Sequence, residues 1–208
     1  MTTIYLIRHS KTLKVNNDLD TDDLQLQNEK YSLSLEGEQI AQERLNNKIF
    51  KDIDILYSSN YVRAIQTAKY LANENNLEIN IVSNLGERIF GISSWDELPK
   101  NFEERQFLDE NYKIGYGESQ KEVSNRMFLT IKKILDENIN RNIAIVSHGT
   151  ATMFLLKKWC DIQLVNGKYK CRFNGKVLLD GHPDFCETFK LGFNDENELV
   201  EIENIKSL

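Results

Sequence analysis

Long apolar runs are missing from this chain of 208 residues. Nothing approaches the ~20 consecutive apolar residues that a membrane span requires. The first strand-like run is under way by Ile4, which leaves no room for the charged and apolar regions of a secretory signal. Proline is scarce, at 2 residues, and no Gly/Ser-rich linker or internal repeat divides the sequence, so one domain over residues 1–208 is expected. The 3 cysteines, Cys160, Cys171 and Cys186, are odd in number and lack CxxC spacing. That excludes a disulfide framework, argues against a structural zinc site, and points to reduced thiols in a cytoplasmic protein. Positive charge is also short. A net charge of −6 argues against nonspecific nucleic-acid binding, so neither nucleic acid nor membrane is expected as a partner. An anionic substrate would have to be drawn in by a local basic cluster.

Such a cluster is present. In Ile4-Tyr5-Leu6-Ile7-Arg8-His9-Ser10-Lys11-Thr12 an Arg-His pair stands where an apolar run meets a polar segment. Four apolar residues in a row read as a strand covered on both faces, and ligands of such sheets bind beyond the carboxyl ends of the strands. Ile143-Ala144-Ile145-Val146-Ser147-His148-Gly149 repeats the pattern. Two histidines, each leaving its own strand, can thus face one pocket.

Between these runs, strand and helix signals alternate. Residues 54–58 and 79–82 read as short strands, and helices are expected over 35–47 behind Ser34, over a segment with Val62, Ile65, Ala68, Tyr70, Leu71 and Ala72 on its apolar face, and over 119–139. The last carries the stripe Val123, Met127, Ile131, Ile134, Leu135. A further helix is expected over 150–160, and two late strands over 185–193 and 198–205, joined by Asn194-Asp195-Glu196-Asn197. Residues 13–34 and 161–184 read as loops, the second with weak strand signals. Residues 89–117 are irregular and aromatic and read as an inserted cap with a short helix, in which Trp95, Phe102 and Phe107 form the core. The fold expected is α/β: a single domain with a largely parallel central sheet, helices on both faces, and room for an antiparallel edge.

Two further segments place chemistry at strand exits. In Ser58-Ser59-Asn60-Tyr61-Val62-Arg63-Ala64-Ile65-Gln66-Thr67, a strand turns into a helix with a guanidinium in its first turn, a ready anion site. Leu85-Gly86-Glu87-Arg88-Ile89-Phe90-Gly91 brings a carboxylate from another direction. Together these segments supply phosphate clamping, a nitrogen nucleophile and a general acid without a metal.

In this order the segments resemble the motifs of the histidine phosphatase superfamily, the phosphoglycerate mutase-like proteins. Arg8-His9-Ser10-Lys11-Thr12 is similar to the family's RHG-x-T. Residues 58–67 resemble its S-S-x-x-x-R-A-x-Q-T, and Glu87-Arg88 with Gly91 its E-R-x-x-G. Gly117-Glu118-Ser119 with Arg126 resembles a GES…R element of the phosphatase branch, and Ser147-His148-Gly149 the second-histidine motif. The resemblance implies a phosphoglycerate mutase-like fold and a phosphomonoesterase that works without metal or other cofactor on a small phosphorylated substrate. His9 would become phosphohistidine, and Arg8, Arg63, His148 and Asn16 would hold the phosphoryl oxygens. Glu87 would protonate the leaving oxygen. For this His9 has to be neutral, with its second ring nitrogen donating to a backbone carbonyl, and His148 serves best as donor or cation. Burial is expected to keep a proton on Glu87.

Two positions depart from the pattern, Ser10 for Gly and Lys11 for Glu or Gln. A serine would be strained if φ had to be positive there, and Lys11 would favour a more anionic substrate. The alternatives are a phosphoglycerate mutase-type phosphotransferase and an inactive phosphate-binding regulatory module. The short spacing from Glu87 to His148 resembles the phosphatase branch, and the presence of His9, Arg8, Arg63, Glu87 and His148 together argues against the inactive module. Arg88 and His182 read as structural, the latter as part of a turn.

Overall fold

The computed structural model describes residues 1–13 and 23–205. The run Ile4-Tyr5-Leu6-Ile7 lies in β1 (Thr2–Arg8), whose side chains alternate between two apolar clusters. Ile4 and Leu6 face one cluster, and Ile7 with Tyr5 the other. In β4 (Asn142–Ser147), Ile143 and Ile145 face the first cluster and Ala144 and Val146 the second. A strand clothed on both sides needs apolar residues at every position, which explains the unbroken runs.

Six strands form the central sheet in the order β3-β2-β4-β1-β8-β9, with β2 at Ile55–Ser58, β3 at Ile79–Ile81, β8 at Thr188–Phe193 and β9 at Leu199–Ile205. The pairs among β1 to β4 are parallel, and β8 and β9 extend the sheet antiparallel. On one face, α2 (Leu35–Leu45) and α3 (Val62–Asn75) bury Ala41, Leu45, Ala64, Ala68 and Leu71. On the other, α5 (Gln120–Glu137) buries the whole expected stripe from Val123 to Leu135, beside the largely apolar α6 (Gly149–Leu156). This is the α/β architecture expected. α5 starts at a capping box, Ser119 receiving the Glu122 N–H and Glu122 the Ser119 N–H.

Several expectations need correction. The segment 13–34 contains a helix, α1 (Leu24–Lys30), capped by the Asp23 side chain. Residues 161–181 form a three-stranded antiparallel sheet, β5 (Asp161–Val165), β6 (Lys168–Phe173) and β7 (Lys176–Gly181). Its turns, Asn166-Gly167 and Asn174-Gly175, have positive φ at every position, which two-residue hairpins of this hand require. The buried face of α3 also runs differently from the expected stripe. It includes Arg63 and Thr67, while Val62 and Ile65 are half-buried, because the first turns of this helix face a polar site. Between β3 and α5 the chain forms α4 (Phe102–Leu108); Phe102 and Phe107 are buried, whereas Trp95 is 37% exposed.

Gly37 fixes how α2 meets the loop after β1. A Cβ at this position would lie 2.0 Å from the Lys11 carbonyl oxygen, and Ser10 Oγ donates to the Gly37 carbonyl at 2.6 Å. Gly→Ala in a helix ordinarily stabilises by about 1 kcal/mol. Here the sign should reverse, because the clash is with backbone. Gly37→Ala is expected to destabilise by about 1–3 kcal/mol, read as a lowered thermal midpoint.

Candidate active site

Parallel pairing delivers the site. Arg8 is in register with Ser147 at the ends of β1 and β4, and His9 N–H donates to the Ser147 carbonyl at 2.9 Å, one step beyond the strand. Ser58 pairs with Val146, and Ser59 N–H donates to the Val146 carbonyl at 3.0 Å. His148 then caps α6, and Arg63 sits in the first turn of α3. Four side chains from three adjacent strand ends therefore meet at the carboxyl edge of the sheet.

His9 is 8% exposed, and its Nδ1 lies 2.7 Å from the Ser10 carbonyl oxygen. A carbonyl only accepts, so the proton is on Nδ1 and Nε2 carries the lone pair. That lone pair receives the Arg63 Nε–H at 3.1 Å. Burial, then Arg63, then Arg8 hold the imidazole pKa well below its ordinary 6.5. His9 is thus a neutral base with a defined tautomer.

The two arginines are braced from behind. Arg63 donates through Nη1 to the Asn28 carbonyl and lies 4.6 Å from the centre of the Tyr61 ring. Arg8 donates through Nη1 to the Pro183 carbonyl, lies 4.8 Å from the Phe185 ring centre, and passes beside Gly149, where a Cβ would stand 3.3 Å from its Nε. That Nε–H is buried without a partner among the described residues. Burial lowers the pKa of both guanidiniums, and the Glu87 charge is the largest influence opposing it in each.

His148 is fully buried, with Nε2 2.8 Å from Ser59 Oγ and its ring centre 5.0 Å from that of His9. Its Nδ1 has no partner among the described residues. Burial, Arg63 and His9 hold its pKa well below 6.5, so the imidazole is neutral. The cationic form considered from the sequence is disfavoured first by burial and then by the positive charge of the guanidiniums nearby.

Glu87 arrives from the loop after β3 and is half-buried. Its Oε1 accepts the N–H groups of Arg88 and Ala151, both at 3.0 Å, and its Oε2 that of Thr150 at 3.4 Å. The carboxylate thus sits on the N-terminus of α6, where the helix dipole favours an acceptor. Beside it opens a cavity of about 220 Å³, lined among others by Asn60, Tyr61, Gly86, Glu87, Glu118 and Arg126.

Asn16 lies outside the described residues. Ser10 is buried and is not among the residues with positive φ, so it carries no backbone strain; its N–H donates to Thr67 Oγ1 at 3.0 Å. Lys11 pairs with Glu36 at 2.5 Å, with both side chains open to solvent. Arg88 is 7% exposed among the rings of Phe90, Phe102 and Phe154, as a structural residue would be. Tyr61, Asn28, Pro183 and Phe185 escaped sequence reading. Two of them act through backbone carbonyls, which leave no trace in side-chain type. Tyr61 had a signal, its place between Ser59 and Arg63.

The family model for the histidine phosphatase superfamily (branch 1) matches residues 4–177. Among curated proteins, none matches this sequence. Among solved structures, a mycobacterial glucosyl-3-phosphoglycerate phosphatase complexed with VO3 is similar at a TM-score of 0.69 and 16% identity, over 98% of this chain and 97% of its own. A phosphoserine phosphatase from Entamoeba histolytica, in complex with 3-phosphoglyceric acid, is similar at a TM-score of 0.66 and 21% identity, over 100% and 99% of the two chains. At these identities the likeness is one of fold.

Proposed function

This chain belongs to the histidine phosphatase superfamily (branch 1), and we propose that it is a metal-independent phosphomonoesterase working through a phosphohistidine on His9. The observation that carries this reading is the state of His9: a neutral imidazole whose Nε2 lone pair points at a guanidinium. A phosphoryl oxygen entering the site takes over the Arg63 Nε–H, and the lone pair is freed to attack phosphorus. Arg8, with its unpartnered Nε–H, and His148 complete a clamp for the equatorial oxygens, where transition-state charge collects.

In the first step His9 Nε2 bonds to phosphorus, the P–O bond to the leaving group breaks, and Glu87 gives its proton to the leaving oxygen. Glu87 Oε2, with one N–H at 3.4 Å against two at 3.0 Å on Oε1, is the oxygen better placed to carry that proton. In the second step water attacks the phosphohistidine, Glu87 takes a proton from it, and the P–N bond breaks to release phosphate and restore His9. Residues 89–117 serve as the cap beside the leaving-group cavity.

Hydrolysis of 4-nitrophenyl phosphate in the presence of a metal chelator is the test. Turnover under those conditions is expected. Loss of activity in chelator that added metal restores would overturn metal independence. Interconversion of 2- and 3-phosphoglycerate dependent on a bisphosphate primer would replace the esterase with a mutase.

A further inference from the structure

We infer that Arg126 is a positioning residue that fixes the loop bearing Glu87 and thereby aims the proton donor at the leaving oxygen. This inference rests on the phosphatase reading above.

After a single 3-10 turn at Ser83–Leu85, the loop to Ile89 has no regular structure to satisfy its backbone, so other groups must do so. Arg126 Nη1 donates to the Asn84 carbonyl at 2.8 Å and the Gly86 carbonyl at 3.1 Å, and Nη2 to the Glu87 carbonyl at 3.0 Å. The Leu85 carbonyl accepts from Ser147 Oγ at 2.7 Å. On its other side the guanidinium grips Glu118, Nε to Oε1 at 2.6 Å and Nη2 to Oε2 at 2.8 Å. Glu118 Oε2 in turn receives the Ile89 N–H at 3.0 Å. One Arg–carboxylate pair therefore holds three loop carbonyls and one loop amide.

Arg126 and Glu118 are 18% and 17% exposed, and the pairing is two-pronged, so it is a stiff contact little weakened by solvent. Gly117 lets the chain before Glu118 run close to the Phe90 backbone, since a Cβ there would stand 2.6 Å from the Phe90 carbonyl oxygen. Arg126 also lines the leaving-group cavity, which raises the question of direct substrate contact. The donor count answers it. A guanidinium has five N–H donors, and these five contacts use all of them. Arg126 therefore acts on the reaction through the backbone that carries Glu87. A lysine, with its point charge, could not reproduce the fork.

The readout is leaving-group dependence. Nitrophenolate departs without needing a proton, whereas the alkoxide of glycerol 2-phosphate must be protonated as it leaves. Arg126→Gln is expected to lower kcat/KM, which reports only the steps through departure of the leaving group, by about 10–100-fold more on glycerol 2-phosphate than on 4-nitrophenyl phosphate, since a small misplacement of a catalytic group costs up to ~10²-fold. In a Glu87→Gln background the same substitution should bring no further selective loss. Equal losses on both esters, or none, would overturn the inference, because a merely structural role weakens both alike. Glu118→Gln serves if Arg126→Gln fails to fold. It keeps the carbonyl contacts but loosens the grip, and a selective loss of about 3–10-fold is expected; an unchanged ratio would count against the inference. A wild-type protein inert towards both esters would instead overturn the phosphatase reading, and this inference with it.

Discussion

Replacing His9 with alanine is expected to lower kcat on 4-nitrophenyl phosphate by about 10⁴-fold or more while inorganic phosphate still binds within about tenfold of wild type. Among the described residues no second imidazole is placed to replace it. His148, the nearest imidazole, has its ring centre 5.0 Å away and its Nε2 engaged by Ser59. The clamp, in contrast, does not lean on His9. Arg63 stays anchored by the Asn28 carbonyl and the Tyr61 ring, and Arg8 by the Pro183 carbonyl and Phe185. Wild-type protein quenched during turnover should carry an acid-labile, base-stable phosphoryl label, and His9→Ala should carry none. A variant that keeps more than about one hundredth of the activity would sink the nucleophile assignment. Phosphate binding lost together with turnover would move His9 from chemistry to binding.

What the sequence disclosed of this arrangement depends on how local the cause was. β1 and β4 were legible because each is buried on both faces, a demand met by consecutive apolar residues. Where they end was legible too, since Arg8-His9 and Ser147-His148 break the apolar runs abruptly. The small sheet of β5 to β7 could have been found from Asn166-Gly167 and Asn174-Gly175, each followed by a lysine and a strand. Lys168, Lys170 and Arg172 alternating with the buried Tyr169 and Cys171 carry the same signal, the period of two of a strand with one face covered. α1 offered less. Apart from the buried Leu24 and Asn28, its residues are half-buried or exposed, and part of its packing is polar, through Gln25 to Tyr61 and the Asn28 carbonyl to Arg63. In the site, which residues meet could be read from strand exits. How they are held could not, because the Arg8 partner Pro183 comes 175 residues later and is a backbone carbonyl. The same holds for Arg126, whose role appears only when its five donors are traced.

Arg63 should show the second large effect, and one that separates charge from geometry. Arg63→Ala removes the Nε–H that meets His9 and the charge that faces the phosphoryl group, and a loss of about 10²–10³-fold in kcat/KM is expected, as for removal of one preorganised donor. It should also alter the pH profile. Burial is the largest cause of the low His9 pKa, with Arg63 second and Arg8 third. Removing Arg63 relieves part of that pressure, so the imidazole takes up a proton at a higher pH than in wild type. Since only the neutral ring attacks, the acid-side fall of kcat/KM should move to higher pH. Arg63→Lys retains the charge without the planar fork. It should keep the acid limb near its wild-type position while still losing rate, because a lysine cannot bond His9 and the Asn28 carbonyl together. Both variants are compared on one substrate, so titration of the phosphate itself is common to all three profiles. An acid limb that stays fixed in Arg63→Ala would show that His9 is kept neutral by burial and Arg8 without Arg63, leaving Arg63 as a binding group without control over the nucleophile.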